Sequence, residues 1–297
     1  MEAEVRHLTG EHMRESRPAA KGLLPLWTFL CLSAALSWTV WFWPVPKHTF
    51  VYLSWLEWRI EWQLANLKFV IGTCLPGMLA LVWALIERKQ QFRAMLSSLT
   101  RWRTSLRWYI LAVGIPCCVF VTSLVVVLLF FPTRHTPAPA SILFRGLLNL
   151  PLAPLWEEIA WRAFALRKLQ SRYSPLASAQ ILGVYWAVWH IPLWMGTITL
   201  TGDLVPPVLL ISCVNVFALS VILAFLFDRS AQSLPVVILF HTIANAVQNQ
   251  VAAVVPDRYI HMIAIPAVLF VCLAIGLAEW GRWTPGLSLP EPKGQQQ

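Results

Sequence analysis

The sequence predicts an all-α polytopic membrane protein of about eight transmembrane helices, with both termini in the cytoplasm. Hydrophobic residues make up 58% of the 297 and charged residues only 12%. That is about half the charge, roughly 25%, that a wetted globular surface carries. The mean hydropathy of +0.62 agrees. The apolar residues also come in blocks of about 20, the length that crosses a bilayer as helix. Finally, the topology that puts both termini inside places sixteen Lys and Arg residues in inner segments and five in outer ones, the bias that sets orientation in membranes. A soluble enzyme and a disordered chain are both excluded. The net charge of +9 sits between apolar blocks, where it sets topology, so no nucleic-acid partner is expected.

Residues 1–22 form a polar cytoplasmic segment containing Glu2, Glu4, Glu11 and Glu15. The apolar block after it is too long for the core of a signal peptide, so no cleaved leader is expected. Residues 23–140 form an N-terminal region with spans Leu23–Val45, Phe69–Ile86 and Trp108–Phe131. Trp38, Trp41 and Trp43 close the first span, Trp108 opens the third, and Trp280 and Trp283 end the last, as aromatic belts do. Between the first two spans, Val51, Trp55, Trp58, Trp62 and Ala65 recur at helical spacing opposite Glu57, Glu61 and Gln63. This predicts an amphipathic helix on the outer surface; an early start to the second span is the alternative. Arg88, Lys89, Arg93, Arg101, Arg103 and Arg107 make the next loop basic and cytoplasmic.

Residues 141–255 hold spans Ile142–Leu166, Pro175–Leu200, Val205–Phe227 and Leu234–Val255. Residues 256–283 contain the last span, Tyr259–Trp280, and 284–297 are a Pro-, Gly- and Gln-rich tail expected to be disordered. Six cysteines, all inside apolar blocks and without metal or disulfide spacing, are expected to be small buried hydrophobes.

The informative residues are those that lipid disfavours. A charge at the membrane centre costs at least about 2.5–3.5 kcal/mol, so an ionisable group there signals function. The fourth span carries Glu157, Glu158 and Arg162, the fifth Trp186 and His190, the sixth Asn215, and the seventh His241 and Asn245. Glu158 and Arg162 are four apart, ion-pair spacing on one helical face. Glu157 points about 100° away and lacks that partner. His241 and Asn245 share a face, as do Trp186 and His190. Counted from the cytoplasmic ends, Glu157 and His241 lie at similar depth and His190 deeper, which calls for a break near Pro192 or a tilted helix. Two adjacent glutamates, an arginine and two histidines exceed interhelical glue, which normally uses single Ser, Thr, Asn or Gln residues. Hydrolysis and proton or ion transport both remain open on this chemistry.

The segment Pro154–Leu166, with its Glu157-Glu158-x-x-x-Arg162, resembles the first motif (EExxxR) of the CAAX-protease and bacteriocin-processing (CPBP) intramembrane proteases. Trp186-x-x-x-His190 resembles their second motif (FxxxH), and His241-x-x-x-Asn245 their third (HxxxN), in family order and each on its own span. The resemblance covers 141–250. Trp186 stands where the family usually has Phe, a swap expected to keep the packing role, and Ala163 where many members have Gly.

The resemblance implies a catalytic core at 141–255 that hydrolyses a peptide bond of a membrane-anchored protein or peptide. Glu157 with His190 would hold and deprotonate the water. His241 and Asn245 would donate to the oxyanion, Glu158 with Arg162 would fix the helix, and Trp186 would lie against substrate. No cofactor is implied. Two other readings stand beside it: a zinc protease using Glu157, His190 and His241, without the HExxH pairing, and a proton-coupled transporter. The motifs are shared among members with different substrates, and no feature of the sequence speaks to oligomeric state. The compact loops suggest a prokaryotic plasma membrane, with the endoplasmic reticulum as the eukaryotic alternative.

Overall fold

Helices occupy the apolar blocks. The computed structural model describes residues 24–44, 50–51, 62–131, 153–197, 205–254 and 264–279. The helices are α1 (Leu24–Phe42), α2 (Leu64–Glu87), α3 (Lys89–Leu99), α4 (Leu106–Phe130), α5 (Pro154–Glu158), α6 (Arg167–Gln170), α7 (Pro175–Thr197), α8 (Val205–Arg229), α9 (Leu234–Val254) and α10 (Ala264–Glu279). A π-helical segment, Ile159–Leu166, joins α5 to α6. Among the described residues, five helices are long and apolar enough to cross a membrane: Pro25–Phe42, Lys68–Glu87, Leu106–Phe130, Pro175–Met195 and Pro206–Arg229. Two shorter apolar helices cover Leu234–Gln248 and Ala264–Ala278. The first half of the expected fourth span, the N-terminal segment and the tail lie outside the described residues.

Two features were not expected. The basic loop after α2 contains α3, whose Met95 and Ser98 are buried, so a helix lies where charge alone suggested irregular chain. Near the expected outer helix, Phe50–Val51 (β1) pairs antiparallel with Trp62–Gln63 (β2). Val51 and Trp62 are therefore extended rather than helical, in keeping with the strand preference of Phe, Val and Trp. Residues 52–61 between them lie outside the described residues.

In the packing, α7 runs along α8, α8 against α10, α9 against α4, and α1 against α2, which also covers α5 and the π segment. Small residues permit the closest approaches, as membrane helix pairs require. Ser37 Oγ donates to the Gly72 carbonyl at 2.8 Å. A Cβ at Gly77 would stand 2.4 Å from the carbonyl oxygen of Trp156. Gly77 thus seats α2 against the backbone just before Glu157.

The interior is built from Trp161, Trp186, Trp189, Phe164 and Phe227, all fully buried. Trp38 and Trp41, both half-buried, pack against it from the end of α1. Trp38 Nε1 donates to the Trp189 carbonyl at 3.0 Å, and the Trp41 ring lies 4.8 Å from that of Trp189. Trp108 is buried and Trp43, at the end of α1, is exposed; Trp280 and Trp283 lie outside the described residues. The cysteines also depart from expectation: Cys31, Cys117, Cys118 and Cys272 are exposed, and Cys74 and Cys213 half-buried. The lipid-facing side of a membrane helix is as apolar as its core side, so an apolar neighbourhood in sequence does not place a small residue inside.

Candidate active site

Pro154 opens α5, as its fixed φ and missing donor favour at a first helical turn. The backbone widens into π turns directly after Glu158, and all eight residues of that segment are buried. Such turns are rare and frequent at functional sites. Beyond them the chain is anchored at the basic end. Lys168 Nζ donates to Glu87 Oε1 at 2.7 Å, and Arg167 donates to Gln232 Oε1 at 2.7 Å and to Ser98 Oγ. Burial, with Arg101 nearby, pushes the Arg167 guanidinium down to about 10, so it remains charged at neutral pH. Gln232 and its neighbour Ala231 have φ of 62° and 58° in the turn that joins α8 to α9.

Glu158 and Arg162 are both 0% exposed. Arg162 Nη1 donates to Glu158 Oε1 at 3.2 Å, and Nε stands 3.2 Å from Oε2. The guanidinium lies 4.5 Å from the centre of the Trp186 ring, a cation–π contact over the side of the cation left without a hydrogen-bond partner among the described residues. His241 completes the cluster, with Nδ1 2.7 Å from Glu158 Oε1. A carboxylate only accepts, so Nδ1 carries the proton.

Glu157, 2% exposed, keeps different company. Its Oε2 accepts from Trp186 Nε1 at 2.8 Å and faces His190 Nε2 at 3.9 Å. His190 Nδ1 sits 2.9 Å from the Trp186 carbonyl, another group that only accepts. The proton is therefore on Nδ1, and in the neutral ring Nε2 turns a lone pair towards Glu157. Trp194 stacks on His190 with centroids 5.0 Å apart and planes at 13°.

These groups meet at a cavity of about 420 Å³, lined by Glu157, Trp186, His190, His241 and Asn245 among others. The structure thus brings together at this cavity six of the eight residues singled out by sequence, Asn215 included, with Glu158 and Arg162 buried behind it. Between Glu157 and His190 the expected difference in depth closes without a break. α7 continues through Pro192 to Thr197, and the helix bearing Glu157 extends to Gln170. Counted from the turn between them, both residues lie about 20–22 Å in. Sequence reasoning missed the hydrogen bond from Trp186, which a Phe cannot make, and the stacking of Trp194. It also missed Gln248, one turn past Asn245 and on the cavity wall; the His241, Asn245, Gln248 spacing on one helix face was the available signal. Among the described residues, no group of three His, Cys, Asp or Glu side chains is placed to hold a metal ion.

Residues 139–247 match the family described as Type II CAAX prenyl endopeptidase Rce1-like. This segment is similar to the CAAX-protease family. CAAX prenyl protease 2 of Methanococcus maripaludis is 28% identical over 109 residues, which are 36% of this chain and 40% of the relative. The similarity therefore spans less than half of that relative's length. The matched segment contains all seven residues of the three motifs, and with the apolar helices it marks a membrane protein.

Proposed function

We propose that the chain is an intramembrane endopeptidase of the glutamic type, acting on a membrane-anchored protein or peptide. The name of the archaeal relative points to prenylated CAAX-type C-termini as the substrate class. The observation that carries the reading is the division of labour between adjacent glutamates. Glu158 is occupied by Arg162 and His241, whereas Glu157 faces the His190 lone pair across 3.9 Å at the cavity wall. That gap is too long for a direct hydrogen bond and suits one water held by two acceptors.

In this mechanism the water oxygen attacks the scissile carbonyl carbon as its proton passes to Glu157. The carbonyl π electrons move to oxygen, and Asn245 with His241 Nε2 stabilise the oxyanion. Nε2 donates only when His241 is an imidazolium, because Nδ1–H is already given to Glu158; the Glu158 carboxylate balances that charge. Collapse breaks the C–N bond, and Glu157 returns its proton to the leaving amine. No metal is required. The alternative is a zinc held by Glu157, His190 and His241 Nε2, the nitrogen left over when Nδ1–H is given to Glu158; the chelator arm of the assay separates the two.

The assay is release of the C-terminal tripeptide from a farnesylated peptide ending Cys-Val-Ile-Met, by purified protein in liposomes. Release should persist in a metal chelator. Loss in chelator with recovery on zinc would make the enzyme a metalloprotease. No release at all, with proton flux after a pH jump, would make it a transporter.

The remaining spans complete a bundle of eight with both termini in the cytoplasm of a prokaryotic plasma membrane, as the basic-residue bias and compact loops favour. Reporters fused at Gln297 and within Pro46–Lys68 should then lie on opposite sides; the same side would change the span count by at least one.

A further inference from the structure

Asn215 on α8 takes no part in the chemistry described so far, yet it is only 7% exposed and lines the same cavity. Its Oδ1 has no hydrogen-bond partner among the described residues, and neither has the buried Nε2 of Gln248, which also lines the cavity. An unpaired acceptor and an unpaired donor in an apolar bundle are each costly to bury. No partner among the described residues accounts for either at the cavity.

Their placement is matched. α8 and α9 are joined by the turn at Ser230–Ser233. Asn215 lies fourteen residues before the end of α8 at Arg229, and Gln248 fourteen after the start of α9 at Leu234. At 1.5 Å per residue both stand about 21 Å from the shared turn. Gln248 lies about 5 Å along α9 beyond Asn245 and about 10 Å beyond His241. An extended peptide advances about 3.3 Å per residue, so the Asn215–Gln248 level is about two residues from a carbonyl held by His241 and Asn245.

We propose that Asn215 and Gln248 form a backbone clamp for an extended substrate, Asn215 Oδ1 accepting a peptide N–H and Gln248 Nε2 donating to a peptide carbonyl, about two residues from the scissile bond. A peptide drawn into a membrane bundle leaves its water shell and must have its backbone groups satisfied by protein. One acceptor and one donor at the same height meet that need without reading side chains. The inference rests on the endopeptidase reading and adds to it a site for the main chain of the substrate.

The test uses Glu157→Gln protein in detergent, which binds without turnover, and a dye-labelled farnesylated peptide ending Cys-Val-Ile-Met read by anisotropy. Adding Asn215→Leu or Gln248→Leu should weaken binding about tenfold each. Asn215→Leu should leave the melting temperature unchanged or raise it, because an apolar residue replaces an unpaired buried amide. Among analogues N-methylated one to three residues from the scissile bond, one should bind about tenfold more weakly to the Glu157→Gln protein. It should lose no further affinity when Asn215→Leu is added, the non-additivity of two partners in one contact. Unchanged affinity in both leucine variants overturns the clamp, as does a lowered melting temperature for Asn215→Leu with peptide affinity intact. Wild-type protein that cleaves the peptide while Asn215→Leu cleaves it with the same KM sinks the clamp alone. Wild-type protein that neither binds nor cleaves sinks the endopeptidase reading and the clamp with it.

Discussion

Glu157→Gln is expected to abolish peptide cleavage while leaving the yield and thermal stability of the folded protein near wild type. The glutamine keeps the length of the side chain, and its carbonyl oxygen can still accept from Trp186 Nε1, which stands 2.8 Å from Oε2 in the native site. It cannot take a proton from water, and loss of a general base costs about 10²–10⁴ in rate. Glu158→Gln should behave differently. It removes the carboxylate that bonds both Arg162 and His241, so stability falls together with activity. His241→Ala and Asn245→Ala each remove a donor to the oxyanion and should cost about 10²–10³. Rates and melting curves of the four proteins side by side make the check. A well-folded but inactive Glu158→Gln beside an active Glu157→Gln would reverse the two roles, and four normal rates would end the hydrolase reading.

The parts of this site that local spacing governs were legible in the sequence. Glu158 and Arg162 pair because four residues make one helical turn, and that contact survives at the edge of the π segment. The helix positions were legible because lipid imposes length and composition on each span. What depended on three-dimensional neighbours was not. His241 bonds Glu158 across 83 residues of chain, and no spacing rule reaches that far. Trp186 was expected to pack as a phenylalanine would, whereas its indole N–H reaches Glu157; the extra atom matters only because α7 lies beside α5 at that height. Trp38 and Trp41 follow the same logic. At a helix end they satisfy the pattern of an interfacial belt, and the pattern gives no sign of their contacts with Trp189 on another helix. The π turns had no sequence signature, since Ile159–Leu166 carries neither Pro nor Gly.

Arg162→Ala should lower folded yield as well as activity, and the burial of its surroundings sets the size of the effect. The native cluster places the Arg162 cation against Glu158, with His241 on the same carboxylate and the Trp186 ring 4.5 Å from the guanidinium. Both members of the ion pair are 0% exposed, so no water reaches Glu158 to replace a lost partner. Removing one side of such a pair leaves an uncompensated charge and typically costs about 3–5 kcal/mol. The truncated side chain also leaves a void in a packed interior, which adds to the loss. Activity falls for a further reason: Glu158 without Arg162 bonds His241 alone, and the imidazole that faces the cavity loses its fixed orientation. Arg162→Lys should recover part of the stability, because the charge returns, but not all of it, because an ammonium cannot reproduce the forked contact or the flat face over Trp186. Monodisperse yield and melting temperature in detergent rank the three proteins as wild type, then Arg162→Lys, then Arg162→Ala. An Arg162→Ala protein that is both stable and active would mean that water reaches Glu158 and that the pair does not hold this part of the site together.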